Sequence, residues 1–108
     1  MNQQSIQIQK KTPIQMAIDI LRNCKARQIR GGMFDGKGGM CAIGALNVGF
    51  GIEDEFGRVK RYNKEEFRTW DEAFSNPACF GLANLNDGAK MTFSEIADII
   101  EMRMSLIE

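Results

Sequence analysis

Several places in the chain bring chemistry-bearing residue types close together. Gly31 to Gly38 reads G-G-M-F-D-G-K-G. This departs by one residue from a phosphate-binding P-loop, with Gly38 where a serine or threonine would hold magnesium. A P-loop follows a buried strand, whereas a basic helix is expected here, so a nucleotide site is set aside. A simpler site survives: Lys37, with the amides of Gly38 and Gly39 just before a helix start, is suited to holding an anion. The plainer reading is a glycine loop that permits positive φ and close packing. Cys41 sits near the same helix start, a position that lowers a thiol pKa. A cysteine nucleophile needs a base, the chain contains no histidine, and Asp35 or Asp87 would replace one poorly. Cys41 is therefore read as a small buried apolar residue. Asn86-Asp87-Gly88 sets a carboxylate beside an amide. Its preferred reading is structural, with a buried Asp87 satisfying helix-end amides. No metal or cofactor is expected. Cys24, Cys41 and Cys79 are spaced by 17 and 38 residues, which matches no zinc finger. Glu53-Asp54-Glu55 lacks the spacing of a calcium loop.

These residues must be positioned by helices. Thr12-Pro13-Ile14-Gln15 is a capping box with proline at the first helical position. Ile14, Ala17, Ile18 and Leu21 then form an apolar stripe, and the helix is expected to run on to Gly31-Gly32 with Lys25, Arg27 and Arg30 near its negative end. A loop follows, turning at Asp35-Gly36. Residues 41–50 are apolar on all sides and predict a short buried helix. Asn63 and Glu66 form a second capping box, and Phe67, Trp70 and Phe74 share one helical face. With Phe80, these aromatics are expected in the core. Asn76-Pro77 starts a shorter helix in which Phe80 and Ala83, with Leu82 and Leu85, turn inward before Gly88. Thr92 and Glu95 cap the last helix, which runs to the end of the chain. Ile6 and Ile8 alternate with polar residues, as in a short strand or a tail. The expected fold is mainly α: four to five helices in one domain, packed around a central apolar helix at about 41–50, with at most a small β-hairpin or short strands.

Composition narrows the function classes. The chain has 108 residues, 44% of them hydrophobic, 26% charged and two proline, which excludes a disordered or collagen-like protein. Fourteen basic and fourteen acidic groups cancel, although residues 1–37 carry a net +5 and residues 53–108 a net −5. A neutral total argues against a nucleic-acid partner. An odd cysteine count is no disulfide framework, and the polar start of the chain is no signal peptide. A cytoplasmic protein with free thiols and no membrane association is expected.

Two segments, Cys41-Ala42-Ile43-Gly44-Ala45-Leu46 and Leu85-Asn86-Asp87 followed by Thr92-Phe93-Ser94-Glu95-Ile96, resemble a group of small uncharacterised bacterial and phage proteins, a domain of unknown function. That group shows a C-x-x-G-A-L segment, then a W/I-x-N-D segment and a T-x-x-E-I helix. The resemblance spans about residues 13–101, and Leu85 stands where the group often has tryptophan. It implies a compact helical domain of mobile-element origin and assigns no catalytic residue.

The last helix adds a surface. Stepping 100° per residue from Ile96, the apolar residues span roughly 220°, about twice what an ordinary surface helix needs. Ile99, Met102, Arg103, Met104 and Leu106 are therefore the candidate partner-binding residues, and Arg103, inside the apolar arc, is expected to pair with an acid. The functional expectation is a small non-enzymatic protein that binds a host protein or a second copy of itself, with inhibition of a host defence complex as one version. The alternatives are a small enzyme using Asp87 and Cys41, and a DNA-binding module using the basic first helix.

Overall fold

The computed structural model describes residues 11–107. The Ile6/Ile8 alternation lies outside them. Five α-helices follow in order: α1 (Pro13–Asn23), α2 (Ala42–Gly49), α3 (Lys64–Ser75), α4 (Leu82–Asp87) and α5 (Phe93–Ile107), with a 3-10 turn at Pro77–Cys79. Helix α1 lies against α2, α3 and α5, and α4 bridges α2 and α5. The fold is mainly helical, as the sequence predicts. Among the described residues the only β pairing is three isolated bridges, Gln28 and Phe34 with Met40 and Glu53 with Val59, so the loop at Asp35-Gly36 turns without a strand hairpin. No described helix is long and apolar enough to cross a membrane.

The helix starts are local chemistry. In α1 the Gln15 amide donates to Thr12 Oγ1 while Gln15 Oε1 accepts from the Thr12 amide. Asn63 and Glu66 repeat this exchange at α3, and Thr92 and Glu95 at α5. Each box satisfies two of the amides that a helix start leaves without partners.

Helix α1 ends at Asn23, well before Gly31-Gly32, with Cys24 already extended. The reason is in its stripe. Ile14, Ala17, Ile18 and Leu21 are buried, but beyond the flanking Cys24 the centre of that face passes to Lys25 and Gln28, so a longer helix would have little apolar surface to bury. The chain instead runs alongside Met40, with the Ile29 amide donating to Met40 O and the Met40 amide to Arg27 O, both at 3.0 Å.

The core is built from Ile14, Leu21, Leu46, Phe93, Ile96 and Ile100 with small residues between them. Arg22 at the end of α1 ties it to α5 through Asp98 at 2.8 Å and Glu101 at 3.0 Å. Two sequence expectations about this core fail. Phe80 is 78% exposed and Phe67 43% exposed, while Trp70 and Phe74 are half-buried. In the 77–87 segment the buried residues are Ala78, Cys79, Leu82 and Asn86, and Ala83 is exposed. The cause is Gly81, whose φ of 71° breaks the segment into a 3-10 turn and a separate helix, rotating Phe80 outward.

Candidate functional site

The two segments that the sequence singled out at 41–44 and 86–87 come together at the start of α2. Asn86 is completely buried. Its Oδ1 accepts from the Ala42 amide at 3.0 Å and from Gln28 Nε2 at 2.7 Å. Its Nδ2 donates to Ile29 O at 2.9 Å and to Asp87 Oδ1 at 2.7 Å. One side chain thus supplies the first turn of α2 with an acceptor, because Cys41 at the N-cap makes no side-chain bond. Gln28 extends the network: Nε2 also donates to Met91 O at 2.7 Å, and Oε1 accepts from the Phe93 amide at 3.0 Å. Arg30 donates to Asn86 O and Lys90 O. Segment 24–40 is therefore clipped to the α4–α5 junction. The donors and acceptors in it are matched by the chain itself.

Asp87 is not the buried member of the pair. It is exposed, and its Oδ1 accepts from Asn86 Nδ2 and, at 3.2 Å, from the Gly31 amide. Those donors, the Asn86 amide first, hold its carboxyl below the usual aspartate range. The expected roles are exchanged: Asn86 satisfies the helix-end amide and Asp87 pins a loop. Gly44 has an equally local reason. A Cβ there would lie 2.8 Å from the Met33 carbonyl oxygen, and that oxygen accepts from the Cys41 amide at 3.0 Å. The C-x-x-G spacing thus lets the 31–40 loop rest directly on α2.

The expected anion position holds an internal carboxylate. Asp35 Oδ1 accepts from the Lys37 amide at 2.8 Å and the Gly39 amide at 2.9 Å, and Asp35 Oδ2 pairs with Arg27. Gly36 and Gly38, at φ of 76° and 88°, give the loop the turn this needs. The Lys37 and Gly39 amides, on either side of Gly38, thus form a cradle whose ligand is the chain's own side chain. Arg27 first, then the amides, pull the Asp35 carboxyl down from an ordinary 3.8 to about 2. A depressed carboxyl stabilises the folded state above its unfolded value, and that contribution fades as pH falls from about 4 to about 2. The Lys37 and Gly39 amide resonances are expected to titrate with a midpoint near 2, moving up in Arg27→Ala. A midpoint unchanged by that substitution would contradict the arrangement.

The residues proposed for other chemistry are dispersed. Cys41 and Cys79 are buried, and burial pushes the Cys79 thiol up to about 11. Cys24 is half-buried at the edge of an open groove of about 530 Å³ shared with Ile20, Met40 and Val48. A second groove of about 510 Å³ runs between α1 and α3 over Met16, Ile20 and Phe50, with Glu65 and Glu66 on its rim. Among the described residues no three of Cys, Asp and Glu gather to hold a metal ion. The three arginines of the basic first segment are engaged internally, Arg22 with Asp98 and Glu101, Arg27 with Asp35, and Arg30 with two carbonyls, while Lys25 is exposed. Arg27 and Arg30 also lie beyond α1.

On α5 the outcome is mixed. Phe93, Ile96, Ala97 and Ile100 are buried, and Met104 packs against the core. Ile99 is half-buried, while Met102 at 51% and Leu106 at 78% are exposed. Arg103 does extend along the core, but it pairs with no acid among the described residues. It donates to Ala78 O at 3.3 Å and Phe80 O at 2.7 Å. Those carbonyls end the 3-10 turn and need a donor, which a reading of helix faces alone could not supply. Comparison with protein-family models, curated proteins and solved structures finds no match.

Proposed function

We propose that this is a small non-enzymatic binding protein that works by protein–protein contact, with the outer flank of α5 and the adjoining Phe80 turn as its docking face. The observation that carries the reading is the row Ile99, Met102 and Leu106, half-buried or exposed on one side of a helix whose other side is fully in the core. Arg103 of the same helix fixes the turn that bears the exposed Phe80 ring. Large apolar side chains gathered on one face are the usual mark of an interaction surface, and methionine adapts to an irregular partner. Against catalysis stand the burial of Cys41, the absence of histidine and a polar hub already saturated by the chain itself.

The resemblance to phage proteins makes a host protein, including a defence complex, the class of partner to seek; a second copy of this chain is the other. The experiment is an affinity pull-down from host lysate beside size-exclusion chromatography with light scattering. Leu106→Glu and Met102→Glu are expected to abolish capture of the partner, or to dissolve a dimer, with the melting temperature kept. A wild type that stays monomeric, with both variants capturing every wild-type partner normally, would sink the reading.

A further inference from the structure

Helix α3 separates its charges. Glu65, Glu66 and Thr69 face the groove against α1. Lys64, Phe67 and Arg68 lie on the opposite flank by helical spacing, with the acids Asp71 and Glu72 three and four residues beyond Arg68. The extended segment just before the helix adds Lys60 and Arg61, pinned by the Lys60 amide donating to Ile52 O at 2.8 Å. Lys60, Arg61, Lys64 and Arg68 are all exposed, and none forms an ion pair within 4.0 Å among the described residues.

An aromatic ladder crosses the same flank. Phe74 and Trp70 have centroids 5.2 Å apart, Trp70 and Phe67 5.5 Å, and Phe67 and Tyr62 5.9 Å. The inner end is fixed, since Trp70 Nε1 donates to Asn47 Oδ1 at 2.8 Å. The outer end is partly exposed. Tyr62 is 38% exposed and stacks on Phe67 at 19°, and among the described residues no aromatic ring meets its second face.

We infer that this flank binds single-stranded nucleic acid, with a base stacked on the face of Tyr62 turned away from Phe67 and the phosphates running along Lys60, Arg61, Lys64 and Arg68. A base continues the ladder as a further ring. Stacking of this kind tolerates any sequence, because every base offers a π face, and unpaired cations beside it supply the attraction for the backbone. A duplex, whose bases already stack on each other, cannot use Tyr62. An acidic protein segment would satisfy the cations and leave the tyrosine face unused. The whole chain is neutral, and these four cations, in no ion pair among the described residues, are a local exception. This surface is separate from the α5 flank and does not depend on it.

The test is fluorescence anisotropy with labelled oligo-dT and oligo-U, which distinguish DNA from RNA as the source, and with duplex DNA as the control. Binding of either single strand is expected to weaken about 50-fold between about 50 and about 200 mM salt when four cations contact phosphates. Tyr62→Ala is expected to weaken it roughly 5- to 150-fold, with Tyr62→Phe close to wild type. The exposed pair Lys64→Glu and Arg68→Glu is expected to abolish it with the helical circular dichroism unchanged. Leu106→Glu is expected to bind as wild type, which separates this inference from the docking face on α5. No binding by the wild type, equal binding of duplex, or polyglutamate competing as well as unlabelled oligo-dT while Tyr62→Ala has no effect would each overturn it.

Discussion

Asn86→Asp is expected to cost about 3–5 kcal/mol at neutral pH, the loss typical of a buried charge left without a partner. The change replaces one NH2 with one oxygen and leaves the shape intact. Nδ2 now donates to Ile29 O and Asp87 Oδ1. An oxygen in its place faces two acceptors, one of them a carboxylate, inside a fully buried site. For a domain of this size the melting temperature should fall on the order of 15–30 °C. The sign with pH follows from the same geometry. Burial and the neighbouring acid raise the folded pKa of the new carboxyl above its unfolded value of about 4, so the penalty is complete at high pH and eases as pH falls toward that value, when one O–H replaces two N–H donors. Asn86→Leu orphans the same groups with no charge, so its loss should not ease on acidification. Thermal melts of the two variants between neutral pH and about 4 check this. A wild-type melt for Asn86→Asp at neutral pH would show that the hub holds nothing.

What the sequence reveals, and what it hides, follows the range of each interaction. The three capping boxes were legible because donor and acceptor lie three residues apart, at Thr12/Gln15, Asn63/Glu66 and Thr92/Glu95. The stripe of α1 was legible as well, yet its end was misplaced. Favourable charges at 25–30 suggested a longer helix, whereas the apolar spacing, which carries more energy, stops at Leu21. Asn86 and Asp87 are adjacent and both suited to capping. Which of them turns inward depends on Ala42 and Gln28, residues 44 and 58 positions away, and no local pattern encodes that. The same holds for Arg103, whose place inside the apolar arc was read correctly and whose acceptors arrive from a turn 23 and 25 residues earlier. Phe67 shares a helical face with Trp70 and Phe74, and Phe80 is a large aromatic, but neither signal shows how much of that face the rest of the chain covers. Lys60 and Arg61 lie in an extended segment without helical period, so the sequence gives no face on which to place them.

Within α5, Ile100→Ala is expected to cost about 2–5 kcal/mol, while Leu106→Ala should stay within about 0.5 kcal/mol of wild type. The two residues are chemically alike and, at six residues apart, point about 120° away from each other. Ile100 is fully buried among the core residues, and truncating it leaves a cavity between α5 and α1. Leu106 is 78% exposed, so its truncation removes little area that folding had covered. Chemical denaturation at two protein concentrations measures both. The comparison also tests the docking face from the stability side. A cost at Leu106 that grows with protein concentration would mean that a second copy covers the flank, since a partner that binds only the folded state makes stability depend on concentration. A cost at Leu106 equal to that at Ile100 and independent of concentration would mean that the chain itself covers this flank in solution. Leu106 would then be unavailable to any partner, and the docking reading of α5 would fail.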